Sequence, residues 1–364
     1  MSTLRSNQLR HSRRPLVARG SALASFTGLA SVVVPALVFG PWKFDASVLP
    51  SGAFQPMAKL PVLAAPPRRV IVGGLLVSLA PFSHAKPSLA SSDDSLWRAQ
   101  VGPASDASPG ATTSPSFASL TEAISSAAKD AFPAGRAAVI TLGKGMWRER
   151  VVVPSGAKLT IEASEPGSAT VTWETKQPYE SVMVVEQGAR LELRGVRIRH
   201  ASKSVANNYA VFLQAGDLTL VDCDVSSSTG AGISAEGGML RLIGGIVHDC
   251  ARQGLTLFGP LMGGEPLIAE VRGTLLRDNG NDPGDFDAIR GPFDGVIARN
   301  GVEAIFQDVV VEGSGSYGIA VFEDARIEFR GGALRKNRKG ESNTRYGGEL
   351  VFPPAVAAEG GASR

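Results

Sequence analysis

The chain has 364 residues, including 37 Lys or Arg and 34 Asp or Glu, and its formal net charge is +3. The basic excess is confined to residues 1–85, which hold nine Lys or Arg and a single acid, Asp45, and leave 28 basic and 33 acidic residues in the rest. A weakly acidic body argues against a nucleic-acid-binding protein, because such a protein needs a basic face to displace counterions from phosphates. The two cysteines are too few for a disulfide scaffold.

Residues 1–85 are predicted to be a targeting presequence. Five arginines precede a first apolar stretch of about 20 residues. The paired Arg68 and Arg69 precede a second apolar run, which ends in the small residues Ser83 and Ala85. This second run resembles a twin-arginine signal, and the two signals together resemble the multipartite presequences of thylakoid-lumen proteins. They predict a chloroplast protein of the thylakoid lumen, without a membrane segment in its mature form; secretion or a single membrane anchor is the alternative.

Residues 86–115 are rich in Ser, Pro and Ala and predict a flexible linker. The next segment predicts one amphipathic helix, with Ser119 or Thr121 as N-cap. Its apolar face is formed by Phe117, Leu120, Ile124 and Ala127. Alternating apolar residues between Gly and Pro turns then predict short strands at Val139–Leu142, Val151–Val153 and Leu159–Ile161.

A repeat of the form apolar-x-apolar-x-x-small-or-apolar-x-apolar follows at intervals of roughly 22 to 27 residues. Its five copies are Leu191/Leu193/Val196/Ile198, Leu218/Leu220/Cys223/Val225, Leu240/Leu242/Gly245/Val247, Ala304/Phe306/Val309/Val311 and Ile327/Phe329/Gly332/Leu334. A degenerate sixth copy covers Ile268 to Leu276. Between several copies a second short strand begins at a glycine, as at Gly232, Gly254, Gly295 and Gly318.

Each repeat is too short to bury its own apolar face, so successive copies must stack as coils of one solenoid. A β-sandwich would give hairpin turns and no fixed register between distant strands. We therefore predict an all-β fold, a single-stranded right-handed parallel β-helix over residues 116–352 with the amphipathic helix as its N-terminal cap. Residues 353–364 are predicted to be a disordered tail.

The helix and the strands that follow it resemble the N-terminal cap and first coils of pectinesterases and other pectin-lyase-like proteins. The copies VDCDVSSSTGAGISAEG and GIVHDCARQGLTLFG resemble the CASH-type repeats of carbohydrate-binding proteins and sugar hydrolases. The resemblance implies the fold over about residues 116–352. It does not select an activity, because lyases, esterases, epimerases and non-catalytic scaffolds share these repeats.

Several catalytic signatures of these families do not occur in the sequence. The Q-D-T motif of pectinesterases is replaced by Gln307-Asp308 followed by Val309, and their D-F-x-F-G motif has only Asp285-Phe286-Asp287 as a partial counterpart. The N-T-D and G-H-G signatures of polygalacturonases and the D-P-H-D signature of alginate epimerases are missing. Whether the protein is an enzyme therefore stays open at this stage; a catalytic form would be a polysaccharide lyase, a hydrolase or a pectinesterase-like protein.

The segment RDNGNDPGDFDAIRGPFDG interrupts the repeat with a run of acids. Asp282, Asp285 and Asp287 could hold Ca²⁺, the one cofactor that the sequence suggests, through hard oxygen ligands. Arg290 could bind a uronate carboxylate or act as the base of a lyase, a combination that pectate lyases use. The alternative is a solvated acidic loop whose Gly and Pro serve turn geometry.

A second candidate site lies on the coil face. Stacking the copies places Arg197 beside Asp224 and aligns Arg199, Ser226 and His248 in one column. Asp222 and Asp249 flank that column. We assign catalytic roles to Arg197, Asp222, Asp224 and His248 and substrate binding to Arg199 and Asp249, because Arg, Asp and His together can perform acid/base work on a sugar. Ordinary cross-strand ion pairs are the alternative.

Three aromatic residues, Tyr209, Phe212 and Phe258, could stack on sugar rings or else pack beneath loops; we assign Phe212 and Phe258 to substrate binding. Cys223 and Cys250 are offset along successive coils and are predicted to be unbonded core residues. Asn279 and Asn337 occupy the position of Cys250 in later coils, where we expect them to satisfy backbone groups at the turns.

Three functions remain open from sequence. The first is a carbohydrate-binding or carbohydrate-active protein with a polysaccharide on the coil face, and the second is a non-catalytic lumenal scaffold that binds a protein there. The third is a divergent pectinesterase or polysaccharide lyase. None of the three involves nucleic acid.

Overall fold

The computed structural model describes residues 96–102, 114–204, 208–260, 264–281 and 291–354. These residues lie within the compact unit His84–Arg364. The predicted presequence, most of the linker and the predicted tail beyond residue 354 lie outside the described residues. No helix in the described ranges has the length and apolar character needed to cross a membrane.

Short strands make up most of the described chain. In chain order the elements are β1 (Leu96–Val101), β2 (Ser116–Phe117), α1 (Leu120–Asp130), a 3₁₀ turn (Phe132–Ala134), β3 (Ala137–Leu142), β4 (Gly145–Arg148), β5 (Val151–Val153), β6 (Lys158–Ala163), β7 (Ala169–Thr175), β8 (Met183–Val185), β9 (Ala189–Arg194), β10 (Arg197–Ser202), β11 (Tyr209–Leu213), β12 (Gly216–Val221), β13 (Asp224–Ser227), β14 (Ala231–Ala235), β15 (Gly238–Ile243), β16 (Ile246–His248), β17 (Leu255–Phe258), β18 (Leu267–Arg272), β19 (Leu275–Arg277), β20 (Val296–Arg299), β21 (Glu303–Glu312), β22 (Tyr317–Phe322), β23 (Arg326–Arg335), β24 (Gly340–Arg345) and β25 (Glu349–Val351).

The strands form three parallel faces around one core, and the chain visits the faces in turn. The first face contains β1, β3, β6, β9, β12, β15, β18, β25 and the first halves of β21 and β23. The second face contains β4, β7, β10, β13, β16, β19 and the second halves of β21 and β23. The third face contains β5, β8, β11, β14, β17, β20, β22 and β24. The chain is thus a right-handed parallel β-helix, in agreement with the sequence prediction.

The register of the coils places apolar residues of similar type in line from one coil to the next. On the first face Leu193 pairs with Leu220 and Leu220 with Leu242, and the column continues to Phe306. These side chains are at most 3 % exposed. Full burial of a Leu or Phe side chain contributes about 1.5–3 kcal/mol, so such columns supply most of the stability of a solenoid that has few local contacts.

A tight corner joins the first face to the second, and it explains the small residue in the repeat. Gly245 has φ of +69°, and a Cβ there would lie 2.3 Å from the carbonyl oxygen of Cys223. Gly332 has φ of +98° and the same conflict with Val309. Only glycine adopts this conformation at such close approach without strain.

Helix α1 covers the N-terminal end of the core, as predicted. Leu120, Ala123, Ile124 and Ala127 are buried, and the Ser119 hydroxyl accepts a hydrogen bond from the backbone N–H of Glu122 as N-cap. The prediction was wrong for Phe117, which lies in strand β2 and still packs against the core. The backbone of Ser119 is extended, so the helix begins at Leu120 and does not include Phe117.

Strand β1 lies inside the segment predicted to be a linker and is a correction to that boundary. It pairs in parallel with β3 over six residues, from Leu96 with Ala137 to Val101 with Leu142. Ala99 and Val101 are buried against the core. Alternating buried positions therefore make residues 96–101 part of the solenoid, despite the Ser- and Pro-rich residues around them.

Buried asparagines close the turns between the second and third faces, as expected. Asn279 accepts a hydrogen bond from the backbone N–H of Cys250 at 3.1 Å and donates to the carbonyl of Val247 at 2.9 Å. Asn337 repeats the arrangement with Ser314 and Val311. Each side chain satisfies two backbone groups that the turn would otherwise leave unpaired.

Candidate functional site

The predicted coil-face residues come together on the outer side of the second face. Strand pairing sets Arg197 opposite Asp224 and Arg199 opposite Ser226, and the next strand continues the second column to His248. These positions point outward because the residues between them, such as Ile198, are buried in the core. We call the group of Arg197, Arg199, Asp224, His248 and Asp249 the second-face network.

Asp224 is the centre of this network. Its Oδ1 lies 2.8 Å from Nε2 of His248, and its Oδ2 lies 2.7 Å from Nη2 of Arg199. Nε of Arg197 is 3.8 Å from Oδ2. Burial raises the pKa of the Asp224 carboxyl group, but hydrogen bonds and charges from Arg199 and His248 outweigh burial and hold the pKa below its usual range.

His248 lies between two carboxylates. Its Nδ1 is 2.6 Å from Oδ2 of Asp249, while its Nε2 faces Asp224. Each ring nitrogen of His248 therefore has a carboxylate within hydrogen-bond distance.

The hydrogen-bonding groups of Asp224 and His248 are directed at other members of the network. Asp224 has both oxygens engaged, His248 has both nitrogens engaged, and Arg199 also donates to the carbonyl oxygen of Asp224 at 2.8 Å. An acid or base in catalysis must reach a substrate atom through a hydrogen bond of its own. Asp224 and His248 make these bonds with other members of the network, an arrangement that fits a cross-strand ion-pair cluster.

Asp222, the remaining residue with a predicted catalytic role, lies apart from this cluster. It occupies the corner between the first and second faces with φ of +49°, and its carboxylate packs against Gly244 of the next coil. Among the described residues no hydrogen bond or ion pair joins it to Asp224 or His248. Asp222 thus serves the turn, where Asp tolerates left-handed backbone angles better than most residues.

The predicted calcium site cannot be placed, because Asp282, Asp285, Asp287 and Arg290 lie outside the described residues. Elsewhere, within the residues that the structure describes, no group of three or more His, Cys, Asp or Glu side chains is arranged to hold a metal ion.

Both cysteines are free and buried, as predicted. Burial raises the pKa of the Cys223 thiol to about 11 and that of the Cys250 thiol to about 12. The thiolate is the reactive form of cysteine, so neither side chain is a nucleophile near neutral pH.

A second arrangement, which sequence reasoning identified only through Phe258, is a cleft of about 600 Å³ where the third face turns into the first. We call it the turn cleft. It is lined by Glu236, Phe258, Gly259, Pro260, Arg299, Asn300 and Glu323. Four successive coils contribute to it, since Glu236, Gly259, Asn300 and Glu323 directly follow the strands β14, β17, β20 and β22.

Local contacts fix the polar groups of the turn cleft. The guanidinium carbon of Arg299 lies 5.1 Å from the centre of the Phe322 ring, which holds the arginine along the third face. Asn300 is within 3.5 Å of the carbonyl oxygen of Gly259 in the preceding coil. Partial desolvation raises the pKa of the Glu236 carboxyl group. The half-buried Phe258 ring lies among these groups.

Phe212 and Tyr209 do not belong to the lining of the turn cleft. They stack on each other with ring centres 5.5 Å apart, two coils before Phe258. In the third-face register Phe212 aligns with Ser234 and Thr256, whereas Phe258 occupies the neighbouring outward column with Arg299. The predicted pair of sugar-binding aromatics is thus separated by the structure.

Comparison with known proteins gives similarity of fold only. No protein-family model matches the chain, and no curated protein matches its sequence. The crystal structure of pectate lyase Pel9A is similar with 13% identity and a TM-score of 0.39, over 72% of this chain and 82% of that one. The structure of pectin methylesterase PemA from Erwinia chrysanthemi is similar with 12% identity and a TM-score of 0.34. The match covers 67% of this chain and 92% of the PemA chain.

Proposed function

We propose that this protein binds a carbohydrate in the turn cleft without cleaving it. The observation that carries the proposal is the aromatic ring of Phe258 within a cleft that also presents Glu236, Arg299, Asn300 and Glu323. Its volume of about 600 Å³ suits a small ligand or a short stretch of a longer chain. A sugar offers an apolar ring face for stacking and hydroxyl groups for these donors and acceptors.

The charges of the cleft favour a neutral glycan over a polyuronate. Glu236 and Glu323 bring two carboxyl groups against the one guanidinium of Arg299. A polyuronate would add further carboxylates to a cleft that already holds two, and like charges in a partly desolvated cleft repel each other. Neutral hydroxyl groups can donate to the glutamates and accept from Arg299 and Asn300.

Two features argue against cleavage of the ligand. In the second-face network Asp224 and His248 are hydrogen-bonded to other members of the network. Glu236 and Glu323 directly follow β14 and β22, which are three coils apart, so their backbones are separated by about 14 Å at the strand spacing of a sheet. Glycosidases need two carboxyl groups about 5–9.5 Å apart across one bond. Widely spaced glutamates suit contacts with separate sugar units.

A glycan array followed by an assay for new reducing ends and unsaturated products tests the proposal. We expect binding to one class of neutral glycan, weaker binding to polyuronates, and no product with any bound glycan. Turnover of a bound glycan would show an enzyme and overturn the non-catalytic assignment. Absence of binding across the array would overturn carbohydrate binding and favour a scaffold that binds protein.

A further inference from the structure

The two ends of the solenoid are finished differently. Helix α1 closes the N-terminal end, where Leu120 and Ala123 are fully buried. At the other end the last described coil leaves Leu334 and Leu350 only half-buried, and Phe352 is 59% exposed. Inward apolar residues of the interior coils, by contrast, are almost fully buried. The C-terminal end therefore presents apolar surface that no described element covers.

Strand β24 forms the edge of the third face at this end. One side of β24 pairs with β22, and within the described ranges no strand pairs with its other side. Glu341 and Arg345 are exposed, and the Glu341 carboxylate also accepts a hydrogen bond from Asn337 at 2.9 Å. An unpaired edge strand offers a row of backbone donors and acceptors that another strand can use.

The sequence of β24, Gly-Glu-Ser-Asn-Thr-Arg, is complementary to itself when read in the opposite direction. If two copies meet antiparallel with Asn343 opposite Asn343, Glu341 lies opposite Arg345 in both halves of the pair. The same register sets Ser342 opposite Thr344. Opposite charges and paired hydroxyl residues both stabilise antiparallel strands when they face each other directly.

We propose that the C-terminal end docks with a second copy of this chain, through antiparallel pairing of β24 with β24. A two-fold axis through Asn343 relates the copies, and such an axis requires a self-complementary surface. The exposed Phe352, whose ring centre lies 5.7 Å from that of Phe329, adds apolar surface at this end of the solenoid.

The charge pattern selects one register. Sliding the strands by two residues keeps each side chain on its face but moves Lys339 opposite Arg345, which sets two cations against each other. Sliding in the other direction leaves Glu341 opposite Gly347 and removes both ion pairs. The Asn343-centred register is therefore the most favourable of these three.

The rival explanation is that charges on β24 protect the edge from pairing. Solenoid ends and edge strands commonly carry charged residues for this purpose. Protection by repulsion calls for like charges at the positions that would meet. Glu341 and Arg345 are of opposite sign and equally distant from Asn343, which instead favours pairing with a second copy.

Sedimentation of the full-length protein over a concentration series tests the proposal, with circular dichroism to confirm folding of each variant. We expect a reversible dimer. Arg345→Glu places carboxylates opposite each other at two symmetric positions, so the dimer dissociation constant should rise by about tenfold or more. Combining Glu341→Arg with Arg345→Glu restores opposite charges and should restore the dimer.

Lys158→Glu serves as the matched control, since it makes the same charge change near the opposite end of the first face, and it should leave the dimer unchanged. A monomer at every soluble concentration overturns the proposal. A dimer that Arg345→Glu does not weaken, or that the double reversal does not restore, overturns pairing through β24.

Discussion

Replacing Phe306 by alanine is expected to lower the free energy of unfolding by about 3–5 kcal/mol, the range for removal of a buried aromatic side chain. Phe306 lies on the inner side of the first face with no exposed surface. Its neighbours in the register are Val271 in the preceding coil and Phe329 in the following one. Both contacts are lost together, because a solenoid coil touches only its two neighbours.

Chemical denaturation of the unaltered protein and of two Phe306 variants measures this effect. Phe306→Leu fills part of the space and should cost clearly less than Phe306→Ala. Met146→Ala is the control, since Met146 is 62% exposed and its truncation should change stability by less than about 0.5 kcal/mol. Equal small losses for Phe306→Ala and Met146→Ala would contradict a continuous core through this coil.

Acid is expected to lower the stability of the protein through the buried side chain of His200. This side chain is 3% exposed. Its Nε2 lies 3.1 Å from the carbonyl oxygen of Glu180, and its Nδ1 lies 2.8 Å from Oγ of Ser227. A neutral ring satisfies both contacts by donating to the carbonyl and accepting from the hydroxyl. Burial lowers the pKa of His200 from 6.5 to about 4.

The sign of the pH dependence follows from this lowered pKa. Between pH 6.5 and 4 the unfolded chain takes up a proton on His200 and the folded chain does not, so acid favours unfolding. The contribution to stability is complete above pH 6.5 and is lost progressively down to about pH 4. The full difference is about 3 kcal/mol.

Denaturation midpoints measured from pH 7 to pH 4.5, with and without His200→Gln, test this expectation. Ordinary Asp and Glu side chains titrate below most of this window, so a decline that starts above pH 5.5 points to histidine. His200→Gln should lower stability at pH 7 and flatten the dependence on pH. An unchanged slope in that variant would refute the assignment to His200.

The solenoid could be predicted from sequence because its register repeats. Leu191, Leu218 and Leu240 recur at intervals of 27 and 22 residues, and the structure pairs them directly. Strand β1 could not be found in this way. It lies before the first copy, within Ser- and Pro-rich residues, and its place in the first face depends on pairing with β3, about 40 residues later.

The candidate sites, too, were predicted in part. Alignment of the copies predicted Arg197 beside Asp224, since the backbone register alone decides which outward positions meet. It could not predict that His248 turns both ring nitrogens to carboxylates, because side-chain torsions are not encoded in a repeat. The turn cleft was missed for another reason. Glu236, Asn300 and Glu323 directly follow third-face strands in separate coils, and Arg299 ends one of those strands. Aligning the ends of these strands would have revealed the set.

Carbohydrate binding in the turn cleft is tested by calorimetric titration of the best array ligand into the unaltered protein, the Phe258→Ala variant and the Phe212→Ala variant. Both variants remove a half-buried aromatic ring from the outer side of the third face, but only Phe258 lines the turn cleft. We expect Phe258→Ala to weaken binding by about tenfold or more, as for the loss of an aromatic anchor. Phe212→Ala should bind as the unaltered protein does. Unchanged affinity in Phe258→Ala, or equal losses in both variants, would contradict carbohydrate binding in the turn cleft.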